Sequence, residues 1–255
     1  MSTRTRDVES IKSLVKRIHP VDDFGPHAKI LVFGNNASGK TRFCCTAPKV
    51  LVLDINEFGT RSGVGTGART VELETWQDVA SAYWYLQSGK HKYESVAIDG
   101  AGGMYQLAMN LVLEEADKRD PARPSKQPSQ REYGRANELF KGMVLAYRNL
   151  PMHVIFTAIP RELKDADTEE ITEVTVSLPA GARGALLGAV GIIGYMEPEE
   201  RRIKKDGRTT RQWVDTMIVG RNRNGIRTKD RTNNLGDVVV RPTMPRVIDA
   251  WNTTE

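Results

Sequence analysis

Eight consecutive residues, Gly34-Asn35-Asn36-Ala37-Ser38-Gly39-Lys40-Thr41, satisfy the pattern G-x-x-x-x-G-K-[ST] without a deviation. A loop of this composition cradles phosphate. Its glycines let the backbone wrap so that N–H groups point inward at phosphate oxygens. Lys40 reaches the β- and γ-phosphates as a point charge, and the Thr41 hydroxyl is a ligand for Mg²⁺. The apolar run Ile30-Leu31-Val32-Phe33 precedes the loop, and Thr41-Arg42-Phe43-Cys44-Cys45 continues it as a helix. That helix adds the positive end of its dipole. Strand, loop and helix are the context this motif requires. A glycine-containing turn before an ordinary helix is the competing reading, and the strand on its left argues against it. The expected ligand is ATP with Mg²⁺, held by Gly34 through Thr41.

Four further positions have chemistry to offer. Val96-Ala97-Ile98-Asp99 is an apolar run ending in a carboxylate. That placement suits an acid holding Mg²⁺ directly or through water; a turn Asp before Gly100 is the plain alternative. Glu57 follows another apolar run in Asp54-Ile55-Asn56-Glu57-Phe58-Gly59. Strand ends at this edge of a parallel sheet converge on a ligand crevice. There Glu57 is either a general base for the attacking water or a solvated loop acid. Thr157 ends the run Met152 to Ala158, as a sensor beside the γ-phosphate or as a buried structural hydroxyl. In Lys229-Asp230-Arg231-Thr232 two cations lie two residues apart, on one face if the chain is extended. They either act as a finger on a neighbour's γ-phosphate or contact DNA phosphates.

The net charge of +5 is unevenly spread. Residues 201–231 hold eleven Arg and Lys against Asp206, Asp215 and Asp230, a local balance of +8. A second basic stretch runs from Lys118 to Arg135 and includes Arg119, Arg123, Lys126 and Arg131. Between them, Arg161 to Thr175 is acidic. Charge separated in this way points to an anionic partner on one surface, most economically nucleic acid, against the plainer reading of a solvated arginine-rich hairpin. No apolar run approaches the roughly 18 residues of a membrane span, and no membrane partner is expected. The N-terminal residues lack the apolar core of a secretory signal. Cys44 and Cys45 are adjacent and read neither as a disulfide framework nor as a metal site, so a cytoplasmic location is expected.

These residues need a scaffold of alternating strands and helices. Residues 8–17 read as a short amphipathic helix, followed by a linker with Pro20, Gly25 and Pro26. Strands are expected at 29–33, 50–54, 93–99 and 152–158, and helices at 75–88, 102–117 and 131–149, with a polar loop at 118–130. Alternation at 171–176 and 213–219 predicts antiparallel strands on the edge of a mainly parallel sheet. The expected division is residues 1–27, an N-terminal helix and linker that could serve oligomerisation, and 28–255, an α/β core with a basic C-terminal hairpin.

Taken together, GNNASGKT, DINEFG, VAIDG, HVIFTA and KDRT resemble the RecA/RadA-like core ATPases of bacteriophages, P-loop recombination ATPases linked to single-strand annealing. The resemblance spans roughly residues 28–240. The phosphate loop is shared by many ATPases; the placement of Glu57 and the terminal KDRT select this branch. The resemblance implies a RecA-like core, with a mainly parallel sheet flanked by helices and antiparallel C-terminal edge strands. It implies Glu57 as catalytic base, and Lys229 and Arg231 reaching across a subunit interface. It also implies single-stranded DNA as partner, a hexameric or heptameric ring or a filament, and a companion annealing or single-strand-binding protein. The family's DNA-binding loops fall at about 118–134 and 161–181. The first is basic here; of the second, only its end, Ala180 to Gly184 with Arg183, suits DNA. Cellular RecA has a glutamine where this chain has Thr157-Ala158. The expected function is a DNA-dependent ATPase. The alternatives are a slow, nucleotide-switched loading factor for an annealing partner and a P-loop phosphotransferase, for which no compact lid is evident.

Overall fold

Val50–Asp54 and Ser95–Asp99 are buried at every position, and their near-continuous Val, Leu and Ile content is what burial on both faces of a parallel sheet requires. The structure, a computed structural model, describes Ser13, Val15, Ile18 and residues 25–55, 59–121, 127–205, 208–220 and 225–253. In chain order its first half comprises β1 (Lys29–Phe33), α1 (Lys40–Cys45), β2 (Val50–Asp54), β3 (Arg69–Glu72), α2 (Trp76–Gln87), β4 (Ser95–Asp99), α3 (Ala101–Arg119), α4 (Gln130–Arg148) and β5 (His153–Ala158). There follow β6 (Pro160–Lys164), β7 (Ile171–Val176), α5 (Ala180–Ala189), β8 (Ile192–Lys205), β9 (Arg208–Ile218), β10 (Lys229–Asp230), β11 (Val238–Val240) and α6 (Met244–Asn252).

The main sheet runs β3-β2-β4-β5-β1-β8-β9-β11, with β10 also paired to β8. All pairings from β3 to β8 are parallel, and β9, β10 and β11 are antiparallel. This is the α/β fold expected from the sequence. One face is covered by α2 to α5, whose Val79, Tyr105, Phe140 and Leu186 join a single core. The other is covered by α1 and α6, with Phe43, Met244 and Val247 against Val32 and Ile155. Two helices begin at reciprocal caps. The Thr75 hydroxyl accepts the Asp78 N–H while the Asp78 carboxylate accepts the Thr75 N–H, and Ser129 and Glu132 repeat the arrangement.

Some elements differ from the sequence reading. Residues 171–176 are a strand, but β7 pairs with β6 in a separate two-stranded sheet, and a single bridge joins Val174 to Ile226. Alternation reports an exposed face and not the partner strand, which is a non-local choice. The segment 161–181 is therefore mostly a hairpin, and Arg183 lies on α5 instead of a loop. The exposed edge strand β3 and the helices α5 and α6 were not anticipated; α6 has a proline in its first turn, where the missing N–H does no harm. Ser13 and Val15 are helical, and the rest of the expected N-terminal helix lies outside the described residues.

One feature of the sheet bears directly on function. β8 pairs with β1 only as far as Tyr195, yet it continues against β9 to Lys205. At about 3.3 Å per residue, this hairpin overhangs the carboxyl edge of the sheet by about 30 Å. No helix among the described residues is long and apolar enough to cross a membrane.

Candidate active site

The loop between β1 and α1 turns through two left-handed residues, Ala37 (φ 62) and Gly39 (φ 89). Alternating backbone handedness of this kind gathers N–H groups into an anion-binding concavity. An alanine in that region is strained, and such strain persists only where the surroundings enforce it. Gly34 leaves the sheet so close to β8 that a side chain there would collide with the Met196 carbonyl. The loop borders a cavity of about 580 Å³ lined by Asn36 through Arg42 with Gly59, Ser62 and Asp215.

Two polar side chains of the loop are buried. Lys40, only 7% exposed, donates its ammonium to the Gly34 and Asn35 carbonyls, both at 2.9 Å, and so is held over the loop. Ser38 is 2% exposed, and its hydroxyl has no hydrogen-bond partner among the described residues. Buried hydroxyls are rarely left this way, because the lost hydrogen bond costs about 1–3 kcal/mol.

Beside the loop lies a relay of three side chains. The Thr41 hydroxyl donates to Asp99 Oδ2 at 2.7 Å, and the Thr157 hydroxyl donates to Asp99 Oδ1 at 2.6 Å. Thr157 also accepts the Gly100 N–H at 2.8 Å. Strand order explains the arrangement. β5 lies between β1 and β4, so the hydroxyl at its end bridges the acid on β4 to the loop after β1. Burial raises the Asp99 carboxyl above the usual carboxylate range. The hydroxyls of Thr157 and Thr41 and the Lys40 ammonium lower it, and Asp54 adds to the rise. Asp54 is the register partner of Asp99 on the adjacent strand and is equally buried.

The hydroxyl of Thr41 and the carboxylate of Asp99 are hard oxygen donors, which suit Mg²⁺. No group of three or more His, Cys, Asp or Glu side chains that could hold a metal occurs among the described residues. A Mg²⁺ here would therefore complete its shell with phosphate oxygens and water, as this ion commonly does.

The other expected residues are more scattered. Glu57 lies outside the described residues, but both flanks border the site. The Ile55 N–H donates to the Asp99 carbonyl at 3.0 Å, and a Cβ on Gly59 would sit 2.8 Å from the Thr41 hydroxyl. Lys118 and Arg119 end α3, and Arg131 lies in the first turn of α4; all three are exposed. Arg123 and Lys126, between the two helices, lie outside the described residues. Arg183 is half-buried on α5. Lys229 and Arg231 do not share a strand face. β10 ends at Asp230, whose carboxylate accepts from the Thr232 and Leu235 N–H groups and turns the chain. The Lys229 ammonium donates to the Leu187 carbonyl at 2.9 Å, and neither cation lines the phosphate cavity of its own chain.

Two residues escaped the sequence reading. Asp54 ends an apolar run just as Asp99 does, and that parallel was the available signal. Asp215 sits in the middle of an alternating strand, and only the fold places it against Gly39.

No curated protein matches the chain. Residues 27–232 match the AAA_24 family, described as an AAA domain. With phosphate loop, buried acid and bridging hydroxyl meeting at the carboxyl edge of a mainly parallel sheet, the chain belongs to this AAA-domain family of P-loop NTPases.

Proposed function

We propose that the protein is an ATP-hydrolysing, DNA-dependent ATPase of phage recombination, acting on single-stranded DNA as a ring or filament. The observation that carries the ATPase reading is the phosphate loop with its tethered Lys40 lining one cavity, with the Thr41–Asp99–Thr157 relay at its side. In this reading Lys40 exchanges the two loop carbonyls for β- and γ-phosphate oxygens. Thr41 and Asp99 hold Mg²⁺, which supplies charge neutralisation on the β- and γ-phosphates. Glu57 takes a proton from water as its oxygen attacks the γ-phosphorus; the bond to the β-phosphate oxygen breaks, and ADP and phosphate leave. Thr157 is a positioning residue, because its hydroxyl is fully engaged with Asp99 and Gly100.

The DNA part of the proposal is supported by the overhanging hairpin, which carries Arg201, Arg202 and Arg211 on its part beyond the sheet edge. Glu199 and Glu200 pair with Arg201 and Arg211 on the surface, but such exposed pairs hold their partners weakly. The exposed cations at the ends of α3 and α4 form a second candidate contact, and a partner annealing or single-strand-binding protein belongs to the same reading. Lys229 and Arg231 would act from a neighbouring subunit. Steady-state ATP turnover with and without oligothymidine tests the proposal. A several-fold rise with single-stranded DNA supports it. Slow turnover indifferent to DNA would favour the loading-factor reading, and phosphate transfer to a nucleotide acceptor would favour a phosphotransferase.

A further inference from the structure

A second cavity, of about 490 Å³, adjoins the phosphate cavity and shares Gly39, Arg42 and Asp215 with it. Its remaining walls are Phe43 of α1, Thr46 just beyond it, Met196 of β8, residues 212–214 of β9, and the segment 241–243. The Arg241 N–H donates to the Asp215 carbonyl at 2.9 Å, which fastens that segment to β9. Together the two cavities form a trough across the phosphate loop. Asp99 stands on the β4 side of β1, and the second cavity opens on the β8–β9 side. A triphosphate bound with its metal end at Asp99 would therefore direct its nucleoside into the second cavity.

We infer that this second cavity is the nucleoside subsite, with the Trp213 indole stacked on the base and the Asp215 carboxylate accepting from the ribose hydroxyls. The inference rests on the ATP-binding reading. Side chains alternate along β9, and Met217 and Val219 are buried with Phe43 beneath α1. Asp215 and Trp213 share that parity and so face the same side, about 7 Å apart along the strand. This is the order in which ribose and base follow the phosphates.

The chemistry of each residue matches its place. A Cβ on Gly39 would lie 2.9 Å from Asp215 Oδ2, so the carboxylate presses on the phosphate loop itself. It repels phosphate, yet it accepts hydrogen bonds from hydroxyls, as acids commonly do for the ribose of bound nucleotides. Asp215 thus marks where phosphate ends and sugar begins. Trp213 is 68% exposed on the cavity wall. An indole left in water beside a polar cleft is a surface on which a base can stack. Gln212, Arg241 and Thr243 supply polar groups for the edge of the base.

The test compares ATP with inorganic tripolyphosphate, which has the phosphates and no nucleoside. Base–aromatic stacking predicts that Trp213→Ala weakens ATP binding by about 5- to 100-fold, with tripolyphosphate affinity changed less than twofold, and that Trp213→Phe retains most of the affinity. In the wild-type protein ATP should change the tryptophan fluorescence, tripolyphosphate should not, and Trp213→Phe should abolish the change. Because Trp213 is exposed, its loss should leave the circular dichroism spectrum unaltered. Unchanged ATP affinity in Trp213→Ala, or an equal loss for ATP and tripolyphosphate, overturns the inference. If wild-type and Lys40→Ala proteins bind both ligands equally well or not at all, the ATP-binding reading has failed, and the subsite with it. Binding that needs Lys40 but ignores Trp213 removes the subsite alone.

Discussion

In the proposed reaction Lys40 and Glu57 act at different moments, and substitution should separate them. The Lys40 ammonium holds phosphate in the ground state and the transition state alike. Lys40→Ala should therefore abolish ATP hydrolysis and weaken nucleotide binding in a folded protein, and arginine should not rescue it, since a planar fork does not replace a point charge in a tight loop. Wild-type rates in Lys40→Ala would remove the assignment. Glu57→Gln keeps the side chain's shape and loses only the base, so turnover should fall about 10²–10⁴-fold with little change in ATP affinity. Normal hydrolysis by Glu57→Gln would place the base elsewhere. In the same proposal Asp99 acts through the metal. Its burial raises the carboxyl pKa, and a proton there competes with Mg²⁺. Affinity for ATP in excess Mg²⁺ should therefore fall with acidification at a higher pH than an ordinary carboxylate would give, while affinity measured in EDTA should not follow that fall. Asp99→Asn should flatten the difference, and an unchanged pH profile would count against metal ligation by Asp99.

At the scale of elements, the start of β5 carries a titrating contact of its own. His153 Nδ1 accepts the Ala28 N–H at 3.1 Å, which only an unprotonated nitrogen can do. Burial lowers its pKa to about 4 from an ordinary 6.5; the charges of His27 and Lys29 act in the same direction and Glu94 opposes them. The unfolded chain therefore binds the extra proton first as pH falls. This contribution to stability is complete above pH 6.5 and declines toward pH 4. Urea midpoints at pH 7.5 and 4.5 should diverge more for the wild type than for His153→Gln. Equal divergence would show that the ring has no part in the acid sensitivity. The neighbouring Lys29 ammonium donates to the Leu150 and Met152 carbonyls at 2.7 and 2.6 Å, tying the start of β1 to the chain entering β5.

The whole molecule raises the question of where the missing cation is. Lys229 and Arg231 do not line their own chain's phosphate cavity, so a role in phosphoryl transfer requires a second subunit. Lys229 is further engaged, through its bond to Leu187, and its pKa is lowered by burial and by Arg231 and Arg227. The exposed Arg231 is the freer of the two to reach outward. If they act in trans, ATPase per subunit should rise with protein concentration. Mixing inactive Lys40→Ala with inactive Lys229→Ala/Arg231→Ala should restore activity, because some interfaces then pair an intact loop with intact cations. A finger of this type supplies about 10³–10⁵ in rate, so even partial recovery is measurable. A double variant with normal basal turnover and a shallower salt dependence of DNA binding would assign the pair to DNA phosphates.

The phosphate loop, Asp99 and the β1, β2, β4 and β5 strands were legible because each is a local pattern. A glycine-rich octet and apolar runs ending in polar residues carry their meaning within a few neighbours. Even so, the sequence marked Gly34 only as a motif glycine; the approach of the Met196 carbonyl from β8 gives a further reason why no side chain fits there. The role of Thr157 was open, and Asp215 was missed, for the same reason. A threonine at a strand end becomes a relay only when β5 inserts between β1 and β4, and an acid on β9 meets the loop only when the hairpin overhangs the sheet edge. The shared face expected of Lys229 and Arg231 depended on a strand that Asp230 ends early. Local sequence determined which groups are present and which strands and helices carry most of them. Strand order, set by packing between distant segments, decided which of those groups meet.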